Sequence, residues 1–223
     1  SHDIRTPLSM ILGYASEMKD TATLPAVTRK QAGIICKQSK KMSELIDSLN
    51  LTTRLEYAMY PINLQTINPI ELTRQVVIDF LNDGIPEQYE IEFSQSEANS
   101  NVLINGDSSL LHRMLSNLIR NSIVHNPQGC KIVVSIGNDS NTCIFSVTDN
   151  GHGISEPKLY SLNGNEAIRS TQEEHNIGYE HGLGLKIVCQ IVKAHDGKIL
   201  FSNTDPHGLR IEIELPKHRI EIK

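Results

Sequence analysis

The apolar residues of this chain keep one spacing through its first sixty or so positions and another beyond them, and no single packed element satisfies both. Ile4, Leu8, Ile11, Leu12 and Ala15 recur at the three- and four-residue intervals of an α-helix. The pattern lapses over Thr21-Ala22-Thr23-Leu24-Pro25, where Pro25 disfavours a helix interior, and resumes from about residue 28 to 56. In that second stretch Ile35, Met42 and Leu49 stand seven apart, with Leu45, Ile46 and Leu55 filling the stripe. Two helices joined by a short loop make an antiparallel hairpin. A hairpin has too little core of its own, so a dimeric four-helix bundle is expected.

From Tyr60 onward strands and helices mix. Alternation at 62–65 predicts a strand, and Asn68-Pro69 caps and opens a helix through residue 80. Further strands are expected at 90–94, 102–105, 131–136, 143–148, 198–202 and 210–215. Helices are expected at 108–125, with Asp107 near its cap, and at 185–194. Elements in this order build a sheet covered by helices on one face. The expected architecture is α followed by α/β: a helical hairpin over residues 1–58, then an α/β sandwich with a mixed sheet over 59–223.

Composition narrows the partners. A net charge of −5 argues against nucleic acid, whose phosphate backbone wants clustered Lys and Arg. No apolar run approaches the roughly 20 residues that span a bilayer, and no signal-peptide pattern is present. Cys36, Cys130, Cys143 and Cys189 are scattered with no Cys-x-x-Cys pair, which favours reduced structural thiols in a cytoplasmic setting. Ser1-His2-Asp3-Ile4 already follows the helical pattern, so the chain is expected to be a fragment, with any membrane anchor lying upstream.

Four stretches carry candidate chemistry. On a helical projection with Ile4 at zero, the apolar stripe falls between about −20° and +80° while His2 falls near ~160°, Thr6 near ~200° and Asp3 near ~260°. His2 therefore faces away from the stripe. Asp3 beside it can orient and deprotonate the imidazole, and Pro7 removes the amide that would bond the Asp3 carbonyl. A solvated polar face is the bland alternative. In 108–125, Asn117, Asn121 and His125 stand four apart along one face at the edge of the stripe formed by Leu111, Leu115, Leu118 and Ser122. Carboxamide oxygens there suit Mg²⁺, though amides on a surface helix give the same spacing. Asp149-Asn150-Gly151-His152-Gly153-Ile154 ends a strand, and His181-Gly182-Leu183-Gly184-Leu185-Lys186 enters a helix. A strand-end carboxylate can accept from an exocyclic amine, and glycines at a helix start expose amides to phosphate. Either glycine pattern alone is as often a turn.

Taken together, these stretches resemble sensor histidine kinases. Ser1-His2-Asp3-Ile4-Arg5-Thr6-Pro7-Leu8 is similar to the family's phosphoacceptor box, differing at Asp3, where Glu is commoner. Asn117-Leu118-Ile119-Arg120-Asn121-Ser122 resembles the N box, and the two glycine stretches resemble the glycine boxes, with Glu180 in place of the usual first Gly. The resemblance implies a dimeric helical hairpin followed by a Bergerat-type sandwich. It implies that His2 accepts phosphate, Asp3 acts as its base, and Thr6 positions water for dephosphorylating the partner. It further implies that Asn121 ligates Mg²⁺, that Asn117 assists near the phosphates, and that His125 contacts the nucleotide. Val124 stands where the family frequently carries Lys or Arg, so a phosphate contact is expected either to be missing there or to be supplied by Arg120. The Asp149, Gly151, Gly153 and Ile154 loop would read adenine, and Gly182, Leu183, Gly184, Leu185 and Lys186 would hold phosphates. Residues 155–181 match the family's ATP lid, with Arg169 as a candidate phosphate contact.

The expected function is autophosphorylation of His2 from Mg·ATP and transfer to an aspartate of a response regulator receiver domain, within a homodimer. Two alternatives stand beside it: a degenerate nucleotide-binding module acting mainly as phosphatase or scaffold, and an ATP-driven clamp of the same superfamily. The hairpin bearing His2 argues against the clamp.

Overall fold

The computed structural model of the protein describes residues 2–95, 102–164 and 180–217, with the backbone alone at 2, 3 and 180–182. The chain divides into two compact units, Ser1–Met59 and Tyr60–Lys223.

The smaller unit is the expected hairpin. Helix α1 (His2–Asp20) runs through Pro7, and α2 (Ala26–Glu56) follows after a turn closed by the Leu24 amide on the Thr21 carbonyl. The seam between them is made by Leu8 and Ala15 of α1 with Ala32, Ser39 and Leu51 of α2. Small residues at three of these positions let the backbones approach. Arg5 and Asp47 tie the helices at the surface, 2.5 Å apart. The α1 stripe is only partly buried: Ile4 and Ile11, expected to point inward, are exposed in this hairpin.

The larger unit is an α/β sandwich. Strand β1 (Gln65–Ile67) pairs antiparallel with β3 (Ile104–Gly106). The main sheet orders β2 (Tyr89–Gln95), β4 (Cys130–Asn138), β5 (Thr142–Asp149), β7 (Leu209–Pro216) and β6 (Lys198–Asn203). β2 and β4 are parallel and the remaining pairs antiparallel, so the sheet is mixed as expected. Its register stacks Ile136 on Phe145 on Ile213, and Val134 on Val147 on Ile211, all buried on one face. Helices α3 (Pro69–Asn82), α4 (Ser108–His125) and α6 (Glu180–Ala194) cover that face with Val76, Leu111, Leu115, Leu118, Ile187 and Ile191. Burying such side chains contributes roughly 1.5–3 kcal/mol each, which makes this the core of the unit.

Three elements differ from expectation. The strand predicted at 62–65 lies at Gln65–Ile67, because β1 registers on β3 with Ile67 opposite Ile104. Helix α6 begins at Glu180, five residues before the predicted start. Helix α5 (Glu156–Asn163) stands within the stretch 155–181 matched to the ATP lid, where no helix was expected. It buries no residue and is anchored by Asn163, whose amide nitrogen donates to the Phe201 carbonyl (2.8 Å) and whose oxygen accepts from the Phe201 amide (2.9 Å). Among the described residues no helix is long and apolar enough to cross a membrane.

Candidate functional site

Helix α4 is held first at its N-terminus. Asp107 Oδ1 accepts from the Ser109 and Leu110 amides, both at 3.1 Å, and Oδ2 accepts from the Asn63 amide at 3.0 Å. The Asp107 amide in turn donates to Nε2 of buried His195, whose Nδ1 bonds the Ile191 carbonyl at 2.8 Å. An acceptor at Nε2 and a donor at Nδ1 define a neutral ring with the proton on Nδ1. These bonds fix where α4 starts. Asn117, Asn121 and His125 then follow along its length, each half-buried.

Helix α6 meets α4 at Asn117. A Cβ built on Gly184 would lie 3.6 Å from Asn117 Oδ1, an ordinary van der Waals distance, which puts this point of α6 beside the Asn117 side chain. Beside it, the Asn117 amide nitrogen is buried with no hydrogen-bond partner among the described residues. Leaving such a donor unmatched costs about 1–3 kcal/mol. A native structure retains that cost where a ligand supplies the acceptor. The early start of α6 also corrects the reading of the second glycine stretch as a loop leading into a helix. Gly182, Leu183 and Gly184 lie inside α6, so within the helix the amides left without intrahelical acceptors are those of residues 180–182. Leu183, Gly184, Leu185 and Lys186 are all half-buried.

The second wall is the turn after β5. Asp149 is 5% exposed; its Oδ2 accepts from Ser122 Oγ of α4 at 2.9 Å and its Oδ1 from the Gly151 amide at 3.0 Å. Only glycine fits at 151, because a Cβ there would fall 1.9 Å from Asn126 Oδ1. Asn126 is itself fixed by donating to the Ser122 carbonyl at 2.8 Å. Gly153 sits at φ +68°, and the next peptide is gripped by Asn203, which accepts from the Ile154 amide (2.9 Å) and donates to its carbonyl (2.7 Å). Burial, and after it the Asp149 charge, pushes the neighbouring Cys130 thiol up to about 11.

Asn117 and Gly184 thus come together, and Ser122 ties Asp149 to the same helix. Arg120 is placed differently: its guanidinium lies over the Phe80 ring, 6.0 Å from the centroid, on the α3 side of α4. His2 opens α1, and Thr6 is exposed one turn later; the His2 and Asp3 side chains lie outside the described residues, as does Arg169. Ser122, Asn126 and Asn203 are the residues that sequence reasoning missed. Only Ser122 carried a local signal, since a hydroxyl within a buried apolar stripe needs a partner.

Residues 106–219 match the family described as histidine kinase-, DNA gyrase B-, and HSP90-like ATPase, and residues 1–58 match the His Kinase A (phospho-acceptor) domain. The chain belongs to the sensor histidine kinases. It is 32% identical over 219 residues to the sensor histidine kinase YvrG of Bacillus subtilis, covering 97% of this chain and 37% of that protein. The chain therefore spans well under half the length of this relative kinase. Full-length ShkA in complex with AMPPNP has a similar fold, with a TM-score of 0.79 at 23% identity over 98% of this chain and 45% of that one. The histidine kinase ThkA, in complex with the response regulator protein TrrA, gives 0.66 at 23% identity, over 97% and 59%. As a sensor kinase core, the chain pairs the phosphoacceptor hairpin with an ATPase-type sandwich.

Proposed function

We propose that this segment is the transmitter of a two-component system: it binds Mg·ATP on the Tyr60–Lys223 unit, phosphorylates His2, and passes the phosphoryl group to an aspartate of a response regulator receiver domain. The observation that carries the reading is the buried Asn117 amide nitrogen, without a hydrogen-bond partner among the described residues, on the side chain whose oxygen lies beside Gly184 of α6. A phosphate oxygen is the acceptor that would complete it.

In this reading Asp149 accepts from the adenine amino group, with Gly151, Gly153 and Ile154 giving the base its backbone wall. Asn117, His125, the α6 residues Gly182, Leu183, Gly184 and Leu185, and Lys186 face the phosphates. The Asn121 carboxamide is the protein ligand for Mg²⁺, which supplies charge neutralisation when bound. Among the described residues no group of three His, Cys, Asp or Glu side chains could hold a metal, so the ion would rest on Asn121, phosphate oxygens and water. Arg120, whose guanidinium lies over the Phe80 ring, remains a candidate phosphate contact from the exposed side of α4.

A neutral His2 ring nitrogen attacks the γ-phosphorus, the bond to the β-phosphate oxygen breaks, ADP leaves, and Asp3 takes the ring proton. Positioning and charge neutralisation carry most of such a transfer. Thr6 would orient water when the partner is dephosphorylated. ThkA with its response regulator shows such a pairing in a protein of similar fold.

Homodimerisation follows from the hairpin. Ile4, Ile11 and Met18 of α1, and Ile35, Met42 and Leu49 of α2, form two rows at seven-residue spacing, each residue 41–59% exposed. Rows of this kind bury themselves against a second hairpin as a four-helix bundle. The transmitter would act on the cytoplasmic side, with any anchor in other parts of the protein.

Incubation with γ-labelled ATP and Mg²⁺ tests the proposal. Label that survives alkali, is lost in acid, and vanishes in both His2→Gln and Asn121→Ala supports it. Nucleotide binding without label favours the regulatory module, and label retained in His2→Gln removes the acceptor assignment.

A further inference from the structure

The turn that carries Asp149 is shaped from outside, by the tip of the β6–β7 hairpin. That tip is closed by the Thr204 amide on the Gly208 carbonyl and by Thr204 Oγ on the His207 carbonyl, both at 3.0 Å. Gly208, at φ +130°, lets the Asp149 carbonyl oxygen approach to where a Cβ would lie only 2.1 Å from it. His207 Nδ1 lies 3.0 Å from the Asn150 carbonyl oxygen and 3.0 Å from the Gly151 carbonyl oxygen. Two carbonyl oxygens repel unless a hydrogen lies between them, so their convergence on one ring nitrogen requires a proton on Nδ1. On its other side Asn150 is locked to β4: its Oδ1 accepts from the Lys131 amide at 2.8 Å, and its own amide donates to the Lys131 carbonyl at 3.2 Å. The Gly151 amide that orients Asp149 Oδ1 therefore belongs to a peptide segment held by His207.

We infer that His207 is a positioning residue for base recognition, its Nδ1–H fixing the Asn150 and Gly151 peptides and through them the Asp149 carboxylate. The inference rests on the proposed reading of Asp149 as the adenine contact. It predicts an effect on nucleotide affinity and on adenine over guanine preference, with the rate at saturating ATP close to wild type.

The test uses replacements that place an amide N–H at different reach. Asn sets its N–H where Nδ1 stands; Gln sets it one methylene further, where Nε2 stands. MgADP binding to the whole chain by calorimetry, and KM against kcat for autophosphorylation, should show His207→Asn near wild type. His207→Gln and His207→Ala should weaken binding and raise KM on the order of tenfold, the loss of one positioned hydrogen bond. The Gln–Asn comparison stands even where the Ala variant folds poorly. Asp149→Ala separates the two layers. If it binds MgADP as tightly as wild type, the adenine reading fails whatever His207 does. If it loses binding while the three His207 variants all match wild type, or all weaken alike, the positioning role is wrong.

Discussion

Ser122→Ala removes a single hydroxyl and probes the joint between α4 and the Asp149 turn. Ser122 and Asp149 are 4% and 5% exposed, and the 2.9 Å bond between them is one of two that the carboxylate accepts among the described residues. A hydrogen bond to a charged group contributes about 1.5–3 kcal/mol, and deleting an oxygen leaves almost no cavity to add to that. The expected loss is therefore ~2 kcal/mol. For a unit of this size each kcal/mol lowers the melting temperature by roughly 2–4 °C, so the larger unit should melt about 4–8 °C lower. Scanning calorimetry of the nucleotide-free chain separates this transition from that of the hairpin. A double-mutant cycle with Asp149→Asn isolates the pair, since contacting residues couple by about 0.5–3 kcal/mol. Strict additivity in that cycle, or a Ser122→Ala melting point unchanged within about a degree, would refute the claim that this bond ties the turn to the helix.

Other expectations follow from the same structure. Met42→Glu places a charge in an exposed apolar row; sedimentation should show a dimeric wild type shifting to monomer, and an unchanged mass would remove the bundle. Gly151→Ala must displace Asn126, whose oxygen lies 1.9 Å from the new Cβ, so MgADP affinity should fall at least tenfold by calorimetry. Burial pushes the Cys143 and Cys189 thiols up to about 12 and about 11, and Cys130 to about 11. Well below the ordinary thiol value of 9.0 all three are largely protonated in folded and unfolded chains alike; as pH rises through that value the unfolded thiols ionise first, so stability should fall progressively up to about 12. Iodoacetamide at pH 8 should leave these three cysteines unmodified by mass spectrometry, in contrast to the unfolded chain.

What the sequence disclosed is what local signals encode. Asn68 and Asp107 announced α3 and α4 because an N-cap is read within three residues, and in the structure both side chains accept helix amides. Alternation marked β4, β5 and β7 because each turns one face to the core. Helix α5 has no buried residue and therefore no stripe to read; its anchor is a bond across 38 positions. The candidate site divides in the same way. Asn117 and Gly184 stand out within their own motifs, whereas Ser122 reaches Asp149 across 27 positions and His207 reaches Gly151 across 56. Such partners are set by sheet register, which no local period reveals. The ring contact of Arg120 was likewise hidden from its spacing, since Phe80 belongs to another helix.

The way Asn163 meets Phe201 bears on how the molecule behaves among its neighbours. β6 is an outer strand of the five-stranded sheet, and outer strands present unpaired backbone groups on which a foreign strand can grow. A carboxamide is a peptide group in miniature, so Asn163 stands in for one residue of a sixth strand. At the opposite border, β2 carries Glu90 and Glu92, which pair with Lys131 of β4 and keep that edge charged and hydrated. Both borders of the sheet are thereby guarded against stacking into fibrils, one by mimicry and the other by charge.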